Sequence, residues 1–141
     1  FIKIVKELSR DIKNVHIVLT GRKRNYIINE LEKENIKFSY FEMADFSTIN
    51  ELYNCLNLYI VSSRYEGGPQ AILECGVTKT PIISTDVGVA SEILAPESIF
   101  TMENFKNAEP NVEFAYLNSM KYEMNNTFQL FHEMFERLYE N

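Results

Sequence analysis

A chain of 141 residues with 45% hydrophobic and 13% aromatic content can fill one ordinary core, which excludes a disordered segment. Its formal net charge of -6 repels a phosphate backbone, so no nucleic-acid partner is expected. No run approaches the roughly 20 apolar residues that cross a bilayer and nothing resembles a cleavable signal; Cys55 and Cys75, with His16 and His132 as the other soft ligands, form no zinc pattern.

The chain opens at Phe1, without a methionine and directly in helical spacing: Ile2, Ile4, Val5 and Leu8 recur until the polar cluster around Asp11 and Asn14. Such an opening is expected of a piece cut from something longer. HIVLTG at 16–21 is short, β-branched and closed by Gly21, as a strand buried on both faces of a parallel sheet reads. A helix is predicted over 22–34, then a strand at 36–43, a helix at 47–56, a strand at 58–63 and a helix at 70–77. A strand at 81–85, a short helix near 89–94 and a strand at 98–102 complete the alternation.

About five strands with intervening helices predict a single Rossmann-like, doubly wound parallel sheet of the α/β class. After Met102 come a loop and C-terminal helices, the last with Phe128, Phe131, Phe135 and Leu138 on one stripe expected to pack into the core. Both cysteines fall in stretches that read as buried regular elements, so free thiols and a reducing, cytoplasmic setting are expected.

Open parallel sheets bind ligands at the carboxyl ends of their strands, so the strand-to-helix loops carry the function. SSRYEGGPQAILECG, residues 62–76, stands out among them. Gly67 and Gly68 remove side chains where a ligand could approach the backbone, and Pro69 suits a first helical turn. Free amides at the positive end of a helix attract phosphate; a plain tight turn is the competing reading of the same glycines. Glu66 in the loop and Glu74 about one turn into the helix are acceptors suited to the hydroxyls of a sugar and a ribose, against the ordinary fate of glutamate as a solvated charge.

Glu66 and Glu74, with seven residues between them and Gly-Gly-Pro after the first, resemble the E-x7-E signature of retaining glycosyltransferases of family four, which have the GT-B fold. INELYNCLNLYIVSSRYEGGPQ upstream and TPIISTDVGVASEIL downstream are similar to the family's flanking runs, so the stronger resemblance covers roughly 49–94. It implies that residues 1–141 are one domain, the C-terminal, donor-binding half of a GT-B enzyme. Glu66 then resembles the residue that holds the transferred sugar at the reaction centre, and Glu74 the one that grips the ribose. Gly67, Gly68 and Pro69 would offer amides to the sugar and diphosphate, and Gly21 and the backbone from Phe41 to Met43 would line the nucleotide site.

Four departures accompany the match. Val89 replaces the second glycine of the turn that begins at Gly88 and precedes Glu92, and Lys79 replaces a small residue before Thr80-Pro81. Gly21 is followed by Arg22-Lys23-Arg24 where a second glycine is common; these read as a solvated helix start, with phosphate contact as the other option. The family's diphosphate-clamping arginine and lysine belong to a segment before Phe1.

The implied reaction transfers a sugar from a nucleoside diphosphate sugar with retention, by holding the departing diphosphate and positioning the acceptor. The resemblance implies no cofactor and no metal; there is no DxD cluster, and Asp45 and Asp86 are isolated acids. It also implies an N-terminal acceptor-binding domain outside this chain, glycan synthesis in the cytoplasm, and peripheral contact of the intact enzyme with the inner membrane face; the 141 residues alone would not turn over. Three alternatives stay open: a GT-B nucleotide-sugar epimerase, a non-catalytic Rossmann-like module, and a glycoside hydrolase using paired carboxylates.

Overall fold

The computed structural model describes residues 1–139, in two compact units that divide between Leu52 and Tyr53. The first unit opens with α1 (Ile2–Asp11), β1 (His16–Thr20), α2 (Asn25–Lys33) and β2 (Lys37–Phe41). Strands β1 and β2 pair in parallel, Val18 opposite Ser39, with α2 as the crossover that parallel neighbours require. Val5, Leu19, Leu31 and Ile36 form its core, with Ile17, Ile28 and Phe38 packed around them. The sheet is less enclosed than its β-branched run predicts: in β1 Leu19 is buried and Ile17 and Val18 are half-buried.

Helix α2 starts at Asn25, three residues later than its periodicity suggests. Gly21 at φ 81 and Lys23 at φ 61 hold the chain in left-handed conformation, which no helix can contain. The Arg22-Lys23-Arg24 run is therefore a turn before the helix. Arg24 Nε donates to the Thr20 carbonyl at 2.8 Å, folding the side chain over Gly21.

Helix α3 (Phe46–Cys55) follows Asp45, whose Oδ1 accepts from the Thr48 N–H at 2.7 Å and so caps it. Cys55, expected to be buried, is exposed at the far end of this helix, where apolar spacing no longer constrains it.

The second unit contains β3 (Tyr59–Val61), α4 (Gln70–Val77), β4 (Ile82–Thr85), α5 (Ala90–Ile93), β5 (Ile99–Phe100), α6 (Val112–Ser119) and α7 (Met124–Tyr139). Its three strands form a parallel sheet in the order β3-β4-β5. The α/β class, the parallel pairing and the C-terminal helices agree with the sequence; the five strands lie in a two-stranded and a three-stranded ladder, where one sheet was expected. Ile82, Ile83 and Ser84 of β4 are all buried, as befits a central strand between crossover helices.

Helix α4 packs on α6 at close range. A Cβ on Gly76 would lie 1.8 Å from Ser119 Oγ and 3.0 Å from the Ala115 carbonyl, so the contact exists because residue 76 has no side chain. The helix ends in a Schellman motif: Thr80 N–H donates to the Cys75 carbonyl at 2.9 Å and Lys79 N–H to Gly76 at 3.2 Å. Lys79, not glycine, occupies its left-handed position at φ 56, with its Nζ 4.1 Å from the Tyr116 ring centroid and 3.2 Å from Glu113 Oε2.

The α7 stripe is not core. Phe128, Phe131, Phe135 and Leu138 are 70%, 58%, 54% and 67% exposed, and the helix packs chiefly on the 3-10 turn Met120–Tyr122 just before it. Helical spacing determines which side chains share a face, not what lies against that face.

Candidate functional site

Val61 of β3 lies opposite Ser84 of β4, so the loops leaving these strands emerge side by side at their carboxyl ends. Loop 62–69 leads into α4 and loop 86–89 into α5. Thr85 Oγ1 donates to the Ser63 carbonyl at 2.7 Å, tying the start of the first loop to the end of β4. Ser63 Oγ in turn donates to Glu66 Oε1, which fixes the carboxylate of an otherwise exposed side chain.

Gly88 has φ 53, and a Cβ there would stand 2.8 Å from Pro69 Cδ and 2.9 Å from Gly68 Cα. Both constraints demand glycine, and they let the two loops abut. An open cavity of about 520 Å³ lies along the junction, lined by residues 64–67 on one side and 86–88 on the other. Arg64 is the cation of that lining, and Glu66 and Asp86 are its acids.

Gly67 and Gly68 differ from Gly88. Neither has positive φ, and a Cβ on either would meet nothing within 4 Å. The turn types that require glycine need positive φ, and these two residues do not have it. Pro69 sits at the N-cap of α4 with φ −67, one position before the expected first turn, and no side chain caps this helix.

Glu74 is half-buried and lies outside the cavity lining. The Tyr53 hydroxyl donates to its Oε2 at 2.6 Å. Burial, and next this bond to Glu74, push the Tyr53 hydroxyl far above the ordinary tyrosine range, so it stays protonated and remains a donor. Glu66 thus lines this cavity and Glu74 does not. A ligand touching both would extend from the groove along the first turns of α4.

The other expected nucleotide contacts belong to the first unit. Gly21 donates its N–H to the Phe41 carbonyl at 3.1 Å and accepts from the Tyr40 hydroxyl at 3.0 Å. Met43 is exposed, its Sδ receiving the Arg22 Nε–H at 3.2 Å. Gly21 and Met43 therefore lie together at the carboxyl ends of β1 and β2. Glu92 is engaged elsewhere: the Tyr122 hydroxyl donates to its Oε2 at 2.6 Å, which raises the tyrosine's pKa.

A protein-family model described as "Glycosyl transferases group 1" matches residues 1–110. The chain belongs to that family. The match to the group 1 glycosyl transferases takes in both loops and every expected site residue, and stops before α6 and α7.

Comparison with curated proteins yields no match. Among solved structures, one titled "Crystal structure of GtfA/B complex" is similar, with a TM-score of 0.71 and 13% sequence identity over 99% of this chain and 33% of the matched one. That likeness is one of fold, and the chain spans about a third of the length of its match.

The sequence alone did not mark Arg64 and Tyr65 as groove residues and left Asp86 without a place. Their position in loops that follow strands was the available signal. Tyr53 gave none, because its bond to Glu74 joins residues 21 apart on different helices. Cys75 is buried, and burial raises its thiol pKa, so it is not a reactive nucleophile. Among the described residues no group of three or more His, Cys, Asp or Glu is arranged to hold a metal, and no helix is long and apolar enough to cross a membrane.

Proposed function

We propose that this chain supplies the donor site of a retaining glycosyltransferase of the GT-B type, and that the second unit binds a nucleoside diphosphate sugar at the carboxyl ends of β3 and β4. The observation that carries the reading is the pair Gly67 and Gly68. Neither the backbone angles nor the packing of the protein calls for glycine there, and the absence of side chains leaves the backbone open to a ligand that lies against it.

The chemistry of the lining suits such a ligand. The amides of Gly68 and of the uncapped start of α4 attract a diphosphate, and Arg64 supplies positive charge in a groove otherwise bearing Glu66 and Asp86. Glu66, held by Ser63, accepts hydrogen bonds from hydroxyls of the transferred sugar, and Glu74 accepts them from the ribose. During transfer the bond from the anomeric carbon to the diphosphate oxygen breaks, the acceptor oxygen bonds to the same face of the sugar, and the acceptor's hydroxyl proton passes to the departing diphosphate oxygen. The site works by holding the diphosphate as its charge develops, with no cofactor or metal in the scheme. The acceptor site is assigned to the remainder of a longer, cytoplasmic protein at the inner membrane face.

Ligand-detected NMR against UDP, GDP and their sugars tests this. At least one is expected to bind the folded chain, and Glu74→Ala is expected to weaken that binding about tenfold or more while the fold persists. Failure of all of them to bind would remove the donor-site reading.

A further inference from the structure

We propose that Tyr53 is a positioning residue that presets the Glu74 carboxylate to receive a ribose hydroxyl; the inference rests on the ribose role of Glu74 proposed above. The Tyr53 hydroxyl donates to Oε2 at 2.6 Å, which leaves Oε1 as the oxygen not engaged in that bond. Both ends of the contact are held. The Tyr53 carbonyl accepts from Thr80 Oγ1 at 2.9 Å, and its ring lies tilted against Tyr59 with centroids 5.6 Å apart. On the other side, the Glu74 carbonyl accepts the Thr78 N–H at 3.0 Å and the Thr78 hydroxyl at 2.8 Å.

A glutamate on the first turns of a helix has three rotatable side-chain bonds, and immobilising them is part of what ligand binding costs. Here the protein has already restricted them. Tyr53 is buried, so the donor cannot swing away to solvent, and burial together with the bond to Glu74 raises its pKa and keeps it a donor.

The alternative is that the bond merely satisfies a buried hydroxyl. The two differ in what the ligand senses. A structural role affects all nucleotides alike, whereas a positioning role is felt by those with ribose hydroxyls.

The test measures affinities of the 141-residue chain for UDP, GDP and their 2′,3′-dideoxy forms, and takes the ratio of ribose to dideoxyribose affinity. Tyr53→Phe is expected to lower that ratio about tenfold, as for loss of a hydrogen bond to a charged group, with dideoxy affinity unchanged. Should that variant fail to fold, Glu74→Gln decides. With Tyr53 keeping the amide oxygen, its NH₂ faces the ligand and cannot accept, so the ratio falls about tenfold; a ratio as in the wild type would mean the side chain turns freely, and overturns the proposal. An unchanged ratio in folded Tyr53→Phe overturns it as well. If Glu74→Ala abolishes the preference while Tyr53→Phe keeps it, the positioning role alone falls. If no nucleotide binds the wild type, or Glu74→Ala keeps the preference, the ribose role of Glu74 falls with it.

Discussion

Glycines 67, 68 and 88 are three residues of one type with two different reasons for being there. Gly88 is demanded from within, by φ 53 and by Gly68 and Pro69 standing 2.8 to 2.9 Å from where its Cβ would be. Gly67 has room and an ordinary backbone. Because alanine narrows the unfolded ensemble at a compatible position, Gly67→Ala is expected to hold or raise stability, by up to about 1 kcal/mol. The same methyl stands where the ligand is proposed to approach, so affinity for the nucleotide sugar is expected to fall. Thermal melting and the NMR titration, run on one sample, check both signs; a variant that melts earlier and binds normally would mean that Gly67 serves the fold.

At the scale of elements, the contact between α4 and α6 sets how firmly the loop-bearing helix is seated. Gly76→Ala would drive a Cβ into Ser119, and overpacking of this kind costs about 1 to 3 kcal/mol, read as a lower midpoint in urea. Ser119 Oγ is buried without a hydrogen-bond partner among the described residues, so adding Ser119→Ala to that variant is expected to restore part of the loss. The α4 C-terminus shows a local rule being offset. A lysine in left-handed conformation is strained, and contact of Lys79 with Tyr116 and Glu113 across to α6 offsets it. Helix α7 shows the reverse: a clear apolar stripe of Phe128, Phe131, Phe135 and Leu138 with no burial behind it.

Over the whole molecule, charge sets the dependence of stability on pH. Hydrogen bonds from Lys33 and Lys6 hold Glu30 below the usual glutamate value of 4.5, and the Thr48 N–H holds Asp45 below 3.8. A carboxyl with a lowered folded-state pKa stabilises the protein above its unfolded value, and that contribution is lost as pH falls through the folded value. Lys6, bonded to Glu34 and Glu30, and Lys33, bonded to Glu30, are raised above 10.5, so their contributions hold below that pH and fade above it. The melting temperature is therefore expected to be flat around neutrality and to drop on acidification below about 4.5. Since Lys33 and Asp45 are exposed and Lys6 and Glu30 are half-buried at the surface, the drop is shallow and weakens with salt; Asp45→Ala is expected to remove the Asp45 share of it.

The amino-acid sequence by itself determined the alternation of elements, because apolar periodicity and glycine stops are local properties: α4 was legible to the residue, from Gln70 to Val77. It also singled out the loop proposed to bind the donor, since Glu66, Gly67, Gly68 and Pro69 are contiguous and follow a strand. Tertiary structure alone decided which distant residues complete that loop. Asp86 and Gly88 arrive beside it through the pairing of β3 with β4, and Tyr53 reaches Glu74 from another helix. It decided as well that the α7 stripe and Cys55 stay at the surface. The reason is the same in each case: a side chain's type and spacing state what it can bury or bond, while the partner is chosen by how the chain returns on itself.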